Sequence, residues 1–160
     1  MSNEEKLKQA LVTRLGLPLD KVEIRRERRV FAEIGRERLL EIINILSREM
    51  GYDSLCTMTG QDEGENLSFM YHLCHASGIV LTLKVYVPRT DPQLPTVSGV
   101  FPSAVLYERE GQDLLGFKIE GLPAEGSRYP LVDDWPQGQY PLRKDWNPEI
   151  LDQIDCQHKM

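Results

Sequence analysis

Leu67-Ser68-Phe69-Met70-Tyr71-His72-Leu73 and Ile79-Val80-Leu81-Thr82-Leu83-Lys84-Val85-Tyr86-Val87 decide the fold. In the first run Leu67, Phe69, Tyr71 and Leu73 share one face of an extended chain. In the second, Ile79, Leu81, Leu83, Val85 and Val87 do the same. Successive side chains of a strand point to opposite faces, so each run offers one apolar side to a core. Ala76-Ser77-Gly78 between them suits a tight turn. The spacing predicts strands over 65–74 and 78–87. A third strand over 53–59 precedes them, followed by a polar, glycine-containing hairpin loop over 61–66.

Working towards the N-terminus, residues 36–50 form the clearest helix. Leu39, Leu40, Ile42, Ile43, Leu46 and Met50 make a stripe wide enough to lie flat on a sheet, and Gly51 stands where a C-terminal cap belongs. Residues 21–25 and 29–34 read as short strands, with Val30, Ala32 and Ile34 alternating with Phe31 and Glu33. Arg25-Arg26-Glu27-Arg28-Arg29 forms their hairpin turn, or alternatively a basic dock for an acidic partner or lipid headgroups. Residues 3–15 read as a helix carrying Leu7, Ala10, Leu11 and Leu15. Ser2 with Glu5 makes a capping box, and Gly16 with Pro18 ends the segment. The order helix-strand-strand-helix-strand-strand-strand predicts a two-layer α+β fold, with the helices packed on one face of a mixed sheet.

Beyond Pro88 the texture changes. Pro88, Pro92, Pro95 and Pro102 punctuate a linker that no central strand tolerates. Residues 103–115 read as a helix with a proline at its entry, and 117–120 as one short strand. The expected division is an α+β domain over 1–120 and, over 121–160, an extended partner-binding tail that does not fold independently.

At 160 residues, with 41% apolar and 28% charged residues, the chain has the composition of one soluble globular domain. Its net charge of −6 disfavours nucleic acid, whose phosphates call for a concentrated positive field. No apolar run approaches the ~20 residues of a membrane span, and Met1-Ser2-Asn3-Glu4-Glu5 lacks the features of a signal peptide. The expected location is therefore cytoplasmic, with membrane contact only through partners. Cys56, Cys74 and Cys156 form no CxxC, as expected of reduced thiols. An iron–sulfur cluster normally needs four well-placed ligands, so none is expected in this chain alone.

In the 103–115 helix, Ala104, Tyr107, Gly111, Leu114 and Leu115 fall within a stripe about 100° wide. Gly111 disfavours a helix by ~1 kcal/mol relative to Ala, and its place in the stripe suggests close approach by another backbone. Glu108 borders the stripe and needs a cationic or hydrogen-bonding partner, for which Arg143 or Lys144 is the candidate. Arg109 and Asp113 stand four apart and are able to pair. Glu108 and Glu110 point about 200° apart, which excludes joint acid–base work on one atom. His72, Cys74, His75 and Cys56 fall short of a structural zinc set, because His75 faces away from His72 and Cys74. Cys156 and His158 are expected in a disordered C-terminal end. Trp135-Pro136 and Tyr140-Pro141 place aromatics beside rigid prolines, either to anchor a partner or to dock on the domain itself.

Pro102-Ser103-Ala104-Val105-Leu106-Tyr107-Glu108-Arg109-Glu110, Asp113-Leu114-Leu115-Gly116, Asp134-Trp135 and Pro141-Leu142-Arg143-Lys144-Asp145-Trp146, with Pro95-Thr96-Val97 upstream, resemble the soluble C subunit of respiratory NADH dehydrogenase (complex I). Equivalent subunits occur in energy-converting nickel–iron hydrogenases and formate hydrogenlyase. The Trp135-Pro136 and Tyr140-to-Asp145 wording is closer to the hydrogenase branch. The resemblance implies a non-catalytic subunit without cofactor, docked on the large catalytic subunit and beside an iron–sulfur subunit on the cytoplasmic side of a membrane. It places Glu108, Arg109, Glu110, Asp113, Gly116, Trp135, Pro141, Arg143, Lys144 and Asp145 in internal and intersubunit contacts. Two other classes compete: a stand-alone binding module using its tail on an unrelated partner, and an enzyme using His72 or His75.

Overall fold

The computed structural model describes residues 1–123 and 129–151; Cys156 and His158 lie outside them. The elements are α1 (Asn3–Leu15), β1 (Val22–Arg26), β2 (Arg29–Ile34), α2 (Leu39–Glu49), β3 (Ser54–Asp62), β4 (Asn66–Cys74), β5 (Val80–Pro88), β6 (Gln93–Pro95), α3 (Ala104–Leu115) and β7 (Lys118–Glu120). The expected element order holds. The Ser2–Glu5 capping box forms, with the Glu5 N–H donating to Ser2 Oγ at 3.1 Å and the Ser2 N–H to Glu5 Oε2 at 2.7 Å. The second helix differs at its start: Arg36–Arg38 is a 3-10 turn, and the α-helix proper begins at Leu39.

Five strands form one sheet in the order β1-β2-β5-β4-β3. The pairs β1/β2, β3/β4 and β4/β5 are antiparallel, and β2/β5 is parallel. The parallel pair makes the sheet mixed. It arises because α2, β3 and β4 all intervene before the chain returns beside β2, a crossover that needs more than a tight turn. Register places Phe69 opposite Val85, Tyr71 opposite Leu83 and Leu73 opposite Leu81, with Ala32 beside Leu83. That face is dry: Leu67, Leu73, Leu81, Leu83 and Val85 are fully buried, as are Leu11, Ile42, Ile43 and Leu46 of α1 and α2. The opposite face is open and mostly polar. His72 there bridges Thr82 Oγ1 at 2.9 Å and Thr59 Oγ1 at 3.3 Å.

The proline-punctuated segment contains a strand that its sequence hides. Gln93–Pro95 pairs in parallel with Lys118–Glu120 as a separate two-stranded sheet. Three residues ending in proline carry no readable alternation, and their partner lies beyond a whole helix. No helix among the described residues is long and apolar enough to cross a membrane.

Candidate functional site

The residues singled out in the last third converge on α3. The helix buries Ala104, Glu108, Gly111 and Leu115, while Tyr107 and Leu114 are half-buried. The buried stripe is therefore rotated towards a carboxylate. Glu108 is 0% exposed, and its partner is neither Arg143 nor Lys144. Its Oε1 accepts the Val97 N–H at 2.7 Å, and its Oε2 lies 2.6 Å from Thr96 Oγ1. Thr96 Oγ1 also lies 2.7 Å from Ser98 Oγ and accepts the Ser98 N–H at 3.1 Å. A hydroxyl has one proton, so it serves only one of its two oxygen neighbours. An ionised Glu108 takes the Thr96 proton, while Ser98 donates to Thr96. A neutral Glu108 donates to Thr96, which then donates to Ser98. Burial pushes the Glu108 pKa up, and the Thr96 hydroxyl and Val97 N–H only partly oppose that rise. The pairing of Pro95-Thr96-Val97 with Glu108, which stand together in the motif, thus has a physical cause: the helix carboxyl fixes the loop after β6.

Gly111 is close to aromatic rings and not to a backbone. A Cβ there would lie 3.0 Å from Phe69 Cζ and 3.4 Å from Phe117 Cδ2, and those two rings stack with centroids 4.7 Å apart. α3 settles on β3 and β4 because this position lacks a side chain. Arg109 donates to the Pro123 carbonyl at 3.2 Å, Asp113 is half-buried, and Glu110 is exposed.

The C-terminal carbonyls of a helix lack intrahelical donors. Here the tail supplies them. The Leu142 N–H donates to the Leu114 carbonyl at 3.0 Å, and Arg143 Nε to the Leu115 carbonyl at 2.8 Å. A guanidinium at a helix C-terminus also suits the macrodipole. Arg143 stacks over the Tyr140 ring at 4.4 Å, and half-buried Pro141 lies in the turn closed by the Arg143 N–H to the Tyr140 carbonyl at 3.0 Å. Further along, the Trp135 and Trp146 rings sit 6.1 Å apart, and Trp135 Nε1 donates to the Gln139 carbonyl at 2.9 Å. The described part of the tail is therefore a strap across its own domain.

Gly116 makes this closure possible. Its φ of +78° favours glycine, and a Cβ would stand 2.7 Å from both Arg143 Nη2 and the Tyr140 ring. Gly116→Ala is expected to cost at least the ~1–2 kcal/mol of a left-handed non-glycine residue and to lift the strap. Limited proteolysis should then cut 129–146 several-fold faster than in the parent chain.

Two anchors escaped sequence reasoning. Asp62, with a side chain 1% exposed, accepts the Gly64 N–H at 2.8 Å, the Lys144 N–H at 3.0 Å and Arg89 Nη1 at 3.0 Å. Arg89 Nη2 donates onward to Asp145. Lys144 thus binds through its backbone, and Asp145 through Arg89. Burial is the largest influence on Asp62 and would raise its pKa. The Lys144 and Gly64 N–H groups and the Arg89 charge outweigh it and hold the carboxyl below its ordinary range. The Arg89 hydrogen bond lowers Asp145 likewise. The only sequence signal was Asp62-Glu63-Gly64, a turn in which an Asp side chain bonds backbone two residues on. Nothing in the sequence ties Asp62 to Lys144. Elsewhere, His75 Nδ1 meets Ser77 in its own turn, and among the described residues no three His, Cys, Asp or Glu side chains could hold a metal ion.

Residues 32–150 match the family described as the respiratory-chain NADH dehydrogenase, 30 Kd subunit. The chain belongs to that family. Among its relatives, the membrane-bound hydrogenase subunit beta of Pyrococcus furiosus is 35% identical over 122 residues, covering 73% of this chain and 69% of that one. The C subunit of the NADH-quinone oxidoreductase of Moorella thermoacetica is 33% identical over 116 residues, covering 71% and 76%. A chain of the membrane-bound sulfane sulfur reductase, an archaeal respiratory membrane complex, superposes with a TM-score of 0.78 at 25% identity, covering 98% of this chain and 91% of that one. The 30 Kd subunit family thus accounts for the fold as well as for the motifs, and its named relatives here are subunits of oxidoreductases.

Proposed function

We propose that this chain is a non-catalytic structural subunit of a membrane-associated oxidoreductase. It carries no cofactor of its own and docks on the large catalytic subunit beside an iron–sulfur subunit, on the cytoplasmic side. One observation carries the reading. Of the eight large apolar side chains that are exposed among the described residues, four belong to α3 and the strap: Leu106, Tyr129, Val132 and Leu142, at 53%, 47%, 62% and 57%. Arg143 is turned inward onto the end of α3, while Asp133, Asp134, Lys144 and Asp145 stay exposed, so the outward apolar side chains stand among charges, as at the polar rim of an interface. Apolar and aromatic residues held on a rigid scaffold are the usual material of a docking face. The relatives' names as oxidoreductase subunits support the class of partner.

The test is affinity purification of the tagged chain from native membranes, followed by mass spectrometry. The expected co-purifying species are a large catalytic subunit and an iron–sulfur subunit. Arg143→Ala combined with Lys144→Ala should reduce their recovery several-fold while the isolated domain stays folded, because the strap loses its hold on the Leu115 carbonyl. Unchanged recovery would count against the strap as the grip, and stoichiometric iron or nickel in the lone chain against the non-catalytic role.

A further inference from the structure

The two edges of the sheet are built differently. β1 places Glu23, Arg25 and Arg26 among its five residues, the charged dressing that keeps an exposed edge from pairing with another chain. β3, the other edge, runs nine residues as Ser-Leu-Cys-Thr-Met-Thr-Gly-Gln-Asp. It has no proline and no charge before Asp62, whose carboxylate is turned inward. The hairpin to β4 closes with the Glu63 N–H donating to the Asn66 carbonyl at 2.9 Å. Antiparallel ladders alternate from such a pair, so Gln61 and Thr59 exchange hydrogen bonds with β4. The N–H and C=O of Gly60 and Met58 then point away from the sheet.

Beside that free edge lies a cleft of about 310 Å³. Thr57 and Thr59 reach it from the open face, Tyr107, Glu110 and Leu114 from α3, and Leu142 from the strap. A strand edge without a backbone partner next to a helix, with a cleft of mixed polar and apolar lining between, is how a domain accepts an extended peptide as an added strand: backbone bonds give affinity and the cleft selects a side chain. Glu110, exposed at this cleft, sets the charge preference.

We infer that β3 receives an extended segment of a partner polypeptide as a sixth strand. That segment places one bulky apolar side chain in the cleft and a lysine or arginine against Glu110. A second copy of this chain fits less well, since it brings another Glu110 and another −6 of net charge to the same edge. The site is continuous with the proposed docking face through Leu142, and the inference rests on that reading.

The test compares hydrogen–deuterium exchange, resolved to single amides, in the isolated chain and in the tagged chain purified with its complex from native membranes. The Met58 and Gly60 amides should exchange at least ten-fold more slowly in the complex, while those of Thr59 and Gln61, already bonded to β4, change little. Glu110→Lys should lower partner recovery several-fold without moving the melting temperature of the isolated chain. Partners recovered with Met58 and Gly60 still exchanging fast would overturn strand addition and leave the docking reading standing. Recovery of no partner overturns both. A β3-protected homodimer of the isolated chain, seen by sedimentation, overturns the choice of occupant.

Discussion

Asp62→Ala is expected to destabilise the chain by about 3 kcal/mol, the scale of removing one member of a largely buried, charge-assisted network. The carboxylate takes three hydrogen bonds, two from backbone N–H groups and one from Arg89. Its loss leaves the Lys144 N–H without its acceptor and Arg89 with Asp145 alone. Chemical denaturation should show the lower midpoint, and proteolysis should find the strap exposed in the native chain. Asp62→Asn keeps acceptor capacity but not charge, so it should fall between. The pH dependence follows from the lowered pKa values of Asp62 and Asp145. A carboxyl whose folded pKa is depressed contributes stability that is present above its unfolded value, for Asp the ordinary 3.8, and that is lost as pH falls through the folded one. Acid should therefore release the strap before it melts the sheet, and Asp62→Ala should remove much of that acid sensitivity. A parent chain and variant with the same midpoint and the same strap cleavage would mean the network does not hold the tail.

Glu108→Ala is expected to cost a similar ~3 kcal/mol for a different reason: the Val97 N–H is stranded in a dry site and a small cavity opens beneath α3. Glu108→Gln should stay within ~1 kcal/mol, because its amide oxygen still accepts from Val97 and its NH₂ donates to Thr96. Here the sign with pH reverses. The folded pKa is raised above the ordinary 4.5, so the contribution is complete below that value and is lost as pH rises through the folded one. The parent chain should lose stability across that window, and Glu108→Gln should not. Urea denaturation of both proteins between about pH 4 and pH 8 reads the difference directly. Parallel stability–pH curves for the two would show that folding does not raise the Glu108 pKa.

Much of the architecture was legible in the sequence because its causes are local. Alternation at 67–73 and 79–87 marks which side of a strand is dry, the 39–50 stripe marks a helix that lies on it, and Ser2 with Glu5 marks where a helix begins. Each depends on residues within a turn or a strand of one another, and the structure has each in place. The family motifs were equally legible as words, and they located α3 and the strap. What they mean physically was not legible. Glu108 looked like a flank charge awaiting a cation, yet it is buried against Thr96 and Val97, because β6 and β7 pair and bring that loop under the helix. Gly111 signalled a close approach, expected from another backbone, whereas the rings of Phe69 and Phe117 make it. Asp62 and Arg89 meet Lys144 and Asp145 only because a hairpin end, a strand end and a strap arrive at one corner. By itself, then, the sequence determined the elements, their order and the dry face of the sheet, since side-chain periodicity and backbone caps act at short range. Only the tertiary structure decided which charges are buried, which hold the strap and which edge is left open, because burial and hydrogen-bond partners depend on segments far apart in the chain being packed together.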